Sequence, residues 1–204
     1  MNAAEHYFCS SSLWRYITQR QVLPWVLSGT NLGDHLLEVG AGYGAATSLL
    51  KSNVPRVTSL DHDHNSALKL KLHHDSLLGG VVRADASHLP FACDTFSSAL
   101  AILVLHHLKS TELQDQMFAE VFRVLRPGGV FVAFEITEGW IHRLAHIRST
   151  FTPVPPASVL PRLTAAGFSN IALELRKGAF RLTSVRPNRA ERLDAPVTAL
   201  RQTG

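Results

Sequence analysis

The sequence predicts an α/β fold: a mostly parallel sheet with helices on both faces, closed at one edge by an antiparallel hairpin. Three observations carry that expectation. From Leu36 onward, apolar β-branched runs alternate with stretches of helical period, the pattern of parallel strands joined by crossover helices. A glycine-rich turn, Gly40 to Gly44, stands between the first strand and the first helix of that series. Near the end, the alternating stretches NIALELR and AFRLTSV are joined through Lys177 and Gly178, a connection too short for anything but antiparallel pairing.

Taken in order, Ser11 to Leu27 reads as a helical cap with a break at Pro24, which lacks a backbone N–H. LLEV, RVTSL, GGVVRA, FSSALAILV and GGVFVAFEI supply the first five strands, and ATSLLKS and SALKLKLHH two of the helices between them. In the helix expected from Glu112 to Leu125, Leu113, Met117, Val121, Val124 and Leu125 share one stripe while Gln114, Asp115 and Glu120 fall elsewhere. Pro127-Gly128-Gly129 then ends that helix and turns the chain into the fifth strand. Pro161 to Ala166 predicts a further helix stopped by Gly167, followed by the hairpin. After Pro187 the apolar content falls, so 188–204 is expected to be a disordered tail on a single domain of 1–187, the cap occupying about 1–30.

With 204 residues, 46% of them hydrophobic, the chain suits one well-buried domain. The longest apolar run, Ala99 to Leu105, is far shorter than the roughly 18 residues of a membrane helix, and MNAAEH lacks a signal-peptide pattern, so a soluble cytoplasmic protein is expected. Cys9 and Cys93 have no metal-ligand spacing and are expected to be free thiols, with no metal site. The net charge of +4 is uneven: residues 176–204 carry seven basic side chains against two acidic ones, leaving the first 175 at −1. That reads as a solvated basic end rather than a nucleic-acid grip.

The stretch LLEVGAGYGAAT places Gly40, Gly42 and Gly44 at a strand-to-helix turn, on the sheet edge where open α/β folds bind ligands. Bare backbone there lets a ligand approach, and a helix beginning near Gly44 would point its free N–H groups at it. A nucleoside with an anionic group fits; a tight structural turn would use the same glycines. Gly40 to Ala45 also matches G-x-G-x-x-[G/A], so a nicotinamide or flavin cofactor is the competing reading. Glu38 weighs against it, since a carboxylate suits an ammonium or sulfonium better than a pyrophosphate. Asp61, about 20 residues past the loop, stands where it would bond ribose hydroxyls or else cap the helix expected near Asn65. Asp85, ending the third strand, could accept from an adenine amino group while the Ala86 N–H meets a ring nitrogen.

Together LLEVGAGYGAAT, VTSLDHD, RADASHLPF, LVLHHL and RVLRPGGVFVAFE, in that order, resemble the class I S-adenosylmethionine-dependent methyltransferases, and most closely the small type 11 domain proteins of bacteria. The likeness covers roughly residues 8 to 187. It implies a Rossmann-like seven-stranded sheet and transfer of a methyl group from S-adenosyl-L-methionine to a small molecule. By the resemblance, Glu38, Gly40, Ala41, Gly42 and Gly44 cradle the methionine part of the cofactor, with Ala101 and Ile102 passing nearby. Asp61 binds the ribose, His62 lies against the adenine, and Asp85 and Ala86 read its edge. Ser97-Ser98 departs from the family, which usually has an Asp after the Phe opening the fourth strand.

Methyl transfer from a sulfonium needs alignment and exclusion of water, and a base only if the acceptor must lose a proton. His106 and His107, after the fourth strand, and Glu135, at the end of the fifth, are the candidates; packing and solvent exposure are the alternatives for the histidines. Methyltransferases acting on nucleic-acid amino groups carry an Asn/Asp-Pro-Pro-aromatic motif where this chain has LVLHHL, which argues against that partner. The segment 138–151, with Trp140, Leu144, Ile147 and Phe151 at helical spacing, suits a lid over the acceptor, a helix on a lipid surface or ordinary core packing. Tyr7, Phe8 and Trp14 in the cap divide between core and pocket lining. A module that binds the cofactor without turnover is the alternative function.

Overall fold

The structure, a computed structural model, describes residues 7, 9–73, 79–137, 151–176, 178–188 and the backbone of 201–202. The strands are β1 (His35–Val39), β2 (Arg56–Asp61), β3 (Val81–Arg83), β4 (Phe96–Ile102), β5 (Leu125–Ile136), β6 (Ser169–Arg176), β7 (Ala179–Val185) and β8 (Arg201–Gln202). They form one sheet in the order β3-β2-β1-β4-β5-β7-β6-β8. The first five run parallel, and β7 pairs antiparallel with both β5 and β6. The expected seven strands and terminal hairpin are thus present. From the tail expected to be disordered, Arg201–Gln202 adds an eighth, pairing parallel with β6, while 189–200 lie outside the described residues.

The sheet is covered on both sides, which is why β1 is buried at every position. Leu36 packs with Leu50, Leu100 and Val132 in one core. Leu37 and Val39 point to the other, among Ala99, Ala101, Phe118 and Phe131. Because β2 and β4 flank β1 on opposite sides, the chain reverses direction across the sheet there and leaves a crevice at the carboxyl edge.

Several elements differ from expectation for physical reasons. The cap runs as α1 (Ser12–Ile17), a π-helical segment Thr18–Val22 and α2 (Leu23–Val26), so its irregularity precedes Pro24 instead of falling at it. The proline ring crowds the carbonyl four residues back, and the chain answers by widening: Leu23 N–H donates to Thr18 O, five residues back. Helix α3 (Thr47–Asn53) begins three residues after Gly44, because 42–46 form a turn. Helix α4 (His64–His73) follows β2. Helix α5 (Thr111–Val124) is capped by the Ser110 hydroxyl and releases Leu125 to β5. Its buried face includes Gln114, expected off the stripe: the Gln114 Nε2 donates to Leu105 O at 3.0 Å and Thr152 O at 3.2 Å. Helix α6 (Pro156–Ala165) starts five residues before Pro161, with Pro156 in its first turn and buried Val159 and Leu163 holding it on either side of Pro161.

Side chains lock these pieces together. Ser97 Oγ donates to Leu32 O at 2.8 Å and receives His35 N–H at 2.9 Å, and Ser98 Oγ donates to Leu32 O at 2.6 Å. The serine pair therefore ties the start of β4 to the start of β1. Arg186 closes the C-terminal end of α5, donating to Phe122 O and Arg123 O while pairing with Asp94 at 2.6 Å. Buried Arg181 of β7 donates to Trp25 O and Ser28 O and pairs with Glu174, clamping the cap onto the hairpin. No helix among the described residues is long and apolar enough to cross a membrane.

Candidate functional site

Five adjacent parallel strands end on one edge of the sheet, and the expected site residues leave it there. At the tip of β1, Glu38 is 4% exposed, and its Oε2 accepts from the hydroxyls of Thr47 and Ser59, both at 2.7 Å. Burial pushes its carboxyl up to about 7, against the lowering effect of those two bonds. Glu38 thus lies beneath the glycine turn, joining β1, β2 and the start of α3.

Gly40 and Gly42 serve different purposes. Gly40, at φ +67, is bare because the Val104 side chain fills the place of a β-carbon. Gly42, at φ +54, has nothing within 4 Å of that place, so its open face is the one a ligand could reach. The turn is fastened to β2: Ala41 N–H donates to Leu60 O at 3.0 Å, and Gly42 N–H to Asp61 Oδ2 at 2.7 Å. The helix start expected near Gly44 lies further on, at Thr47, after a turn over 42–46.

Asp61 is half-buried; its Oδ1 accepts from Asp63 N–H at 2.9 Å. Burial raises its pKa, and the bonds from Asp63 and Gly42 oppose the shift. The helix-cap alternative falls to Asp63, whose Oδ1 takes Ser66 N–H at 2.8 Å. Asp85 is exposed, with Ser87 N–H and Oγ on its Oδ1 at 2.9 and 2.8 Å. Its modest burial would raise the pKa, but the Ser87 bonds and nearby His62 and His88 hold it below the usual value. Ala86 is buried, and exposed His62 accepts at its carbonyl from Arg83 Nε at 3.3 Å.

Ala101 is buried between Val39 of β1 and Ala133 of β5, with half-buried Ile102 next along. Beyond them Leu103 adopts φ +57, a strained conformation for a branched side chain, and hands the chain to a 3-10 turn, Leu105–His107. Glu135 holds that turn: its Oε1 accepts Leu105 N–H at 2.7 Å and its Oε2 meets His106 Nδ1 at 2.7 Å. His106 and Glu135 are 3% and 1% exposed, an internal pair inside the protein. Half-buried His107 lies against His106 with ring centroids 4.1 Å apart and the rings tilted by 45°, and Phe151 approaches His106 at 5.6 Å. Segment 138–150 and Phe8 lie outside the described residues; Tyr7 is 81% exposed and Trp14 half-buried.

The residues that organise this edge without having drawn notice in the sequence are Thr47, Ser59 and Val104, together with Gln19, whose Nε2 donates to Ala45 O at 3.1 Å. All are ordinary residue types, and their roles come from contacts distant in sequence.

Residues 37–133 match the family described as a methyltransferase domain, type 11. Sterol methyltransferase-like 1 of Botryococcus braunii is 32% identical over 143 residues, covering 64% of this chain and 35% of that protein. Demethylmenaquinone methyltransferase of Chlamydia trachomatis is 29% identical over 128 residues, covering 62% and 53%. The chain therefore spans a third to a half of the length of these curated relatives. The structure of phosphoethanolamine N-methyltransferase 2 of Haemonchus contortus, in complex with phosphomonomethylethanolamine and S-adenosylhomocysteine, superposes with a TM-score of 0.70 at 14% identity, over 91% of this chain and 57% of that one. The sheet order is the fold that this chain shares with solved S-adenosylmethionine-dependent methyltransferases, and residues 37–133 of it carry the methyltransferase-domain match.

Proposed function

We propose that the protein transfers a methyl group from S-adenosylmethionine to a small, largely apolar acceptor. The observation that carries the reading is the arrangement at the carboxyl edge: the open face of Gly42, bonded through its N–H to Asp61, with Glu38 beneath and Asp85 at the next strand tip. The cofactor supplies an electrophilic methyl on a sulfonium. Ala41, Gly42 and Gly44 would leave room for its methionine part, with Gly40 letting Val104 seat the turn, and Glu38 would offset the positive charge from below. Asp61 would receive the ribose hydroxyls, with His62, Asp85 and Ala86 about the adenine and Ala101 and Ile102 walling the sulfur side.

In the transfer the acceptor's lone pair forms the new bond to the methyl carbon as the carbon–sulfur bond breaks, leaving a neutral thioether. A proton displaced from the acceptor would go to His107, the half-buried member of the histidine pair. Glu135 and His106, already bonded to each other, would hold the turn that carries it. The apolar character of the acceptor is supported by the flanking Ile102, Leu103, Val104 and Phe151 and by relatives named for sterol and demethylmenaquinone methylation.

Calorimetric titration with S-adenosylhomocysteine should give a saturable one-to-one isotherm, and labelled S-adenosylmethionine should yield S-adenosylhomocysteine with a panel of apolar ring acceptors. No heat with either adenosyl compound would defeat the reading; binding without product from any acceptor would favour the non-catalytic module.

A further inference from the structure

Helix α4 is apolar on two faces. Its inner face lies against β2 and β3, with Ser66, Ala67 and Leu70 buried. Its outer face carries Leu68 and Leu72, 47% and 72% exposed. At about 3.6 residues per turn the two leucines are neighbours one turn apart, and their midline lies opposite Leu70. Lys69 and Lys71, both exposed, fall about 80° to either side of that midline. A surface helix ordinarily turns its leucines inward and its charges to the middle of the outer face. Here leucines hold the middle and lysines flank them, the arrangement of a helix lying in a lipid interface. The pattern extends beyond α4: among the described residues, the large apolar side chains left exposed are Tyr7, Leu13, Tyr16, Leu68 and Leu72, all on the cap or on α4. Both elements border the glycine turn: Gln19 of the cap donates to Ala45 O at 3.1 Å, and Lys69 Nζ lies 4.9 Å from the centre of the Tyr43 ring. The described part of the cap and α4 carry Arg15, Arg20, Lys69 and Lys71 and no carboxylate. Asp61 and Asp63, just before α4, are turned to the N–H groups of Gly42 and Ser66.

We propose that the outer face of α4 docks on an anionic lipid bilayer, Leu68 and Leu72 entering the boundary between headgroups and acyl chains while Lys69 and Lys71 reach headgroup phosphates on either side. The charge and the apolar centre together select this occupant. A twofold contact with a second copy would set lysines against lysines with no acid to answer them. A nucleic acid would meet the two leucines with its phosphates and gain nothing from them. The inference goes beyond the methyl-transfer reading and does not depend on it, since docking is measured without cofactor.

The test sediments the full chain with phosphatidylcholine vesicles and with equimolar phosphatidylcholine–phosphatidylglycerol vesicles. Wild type should partition at least about tenfold more strongly to the anionic vesicles. Leu68→Gln with Leu72→Gln should lower that partition by about tenfold or more through lost apolar burial, and Lys69→Gln with Lys71→Gln by about tenfold through lost attraction to the headgroups. Lys51→Gln with Arg56→Gln removes the same charge at the amino edge of the sheet and should stay within about twofold of wild type. All the substituted side chains are exposed, so melting temperatures should match wild type. Wild type that ignores anionic vesicles overturns the docking face. So does undiminished binding in the leucine pair, which would leave adsorption by charge alone. A loss in the Lys51 and Arg56 variant as large as that in the Lys69 and Lys71 variant overturns it as well, by assigning the attraction to net charge. A leucine-dependent dimer in solution without vesicle binding would give the face to a second copy instead.

Discussion

Val104 fills the space into which a β-carbon on Gly40 would project. The loop after β4 is thereby seated against the turn after β1, and the first glycine of the motif is explained by packing between loops. Gly40→Ala should destabilise the ligand-free protein by about 2–4 kcal/mol, combining overpacking with the cost of a left-handed backbone. Adding Val104→Ala should recover part of that loss, and a double-mutant cycle in urea should show a coupling of at least about 0.5 kcal/mol. Strictly additive effects would mean that the two loops are independent.

Gly42→Val meets open space and should cost only about 1–2 kcal/mol of backbone strain. It should nonetheless remove most S-adenosylhomocysteine affinity in calorimetry. Wild-type affinity in a folded Gly42→Val protein would show that the open face is not where the ligand lies.

Asp61 and Asp63 separate binding from structure. Asp61→Ala should weaken S-adenosylhomocysteine binding by about 1–3 kcal/mol through loss of a polar partner. Asp63→Ala removes a helix cap and should instead cost about 1 kcal/mol of stability, read by thermal unfolding, with affinity little changed. The opposite pairing of outcomes would overturn the ribose assignment.

Glu38 makes stability depend on pH. Its folded value of about 7 lies above the ordinary 4.5, so the folded state holds the proton more tightly than the unfolded chain. That contribution is complete below about pH 4.5 and disappears as pH rises through 7, a swing of about 3 kcal/mol. Glu38→Gln keeps an acceptor for Thr47 and Ser59 and should gain on wild type between pH 5 and pH 8 in ligand-free denaturation. Parallel curves for the two proteins would contradict the raised value.

Glu135 and His107 should divide in the same manner. Glu135→Ala strands Leu105 N–H and His106 Nδ1 in buried surroundings and should cost about 2–5 kcal/mol of stability. His107→Ala should leave stability nearly intact and lower turnover at least about tenfold. Full turnover in His107→Ala with a true acceptor would remove it from the mechanism.

The sheet was legible because its strands are short apolar runs set between helical periods, and the period survives without knowledge of partners. The glycine turn and the three carboxylates were legible by spacing. What stayed hidden depends on contacts far apart in the chain. Nothing local distinguishes Gly40 from Gly42; only Val104, 64 positions on, does so. Gln114 read as lying off the buried stripe because its two carbonyl partners, on Leu105 and Thr152, lie outside its helix. The cap irregularity was traceable to Pro24, but the strain moves toward the N-terminus, where the crowded carbonyl is. Ser97 and Ser98, a departure from the family motif, bond the backbone of the β1 approach and so preserve the strand start.

The arginines of the hairpin region bear on how the molecule would meet a polyanion. Arg181 and Arg186 are turned inward to carbonyls and carboxylates, and Arg176 lies over the Trp25 ring at 4.2 Å. Three of the seven cations that give this part of the sequence its basic excess are therefore already engaged within the fold. Retention on a heparin column should accordingly be weaker than the count of basic side chains suggests.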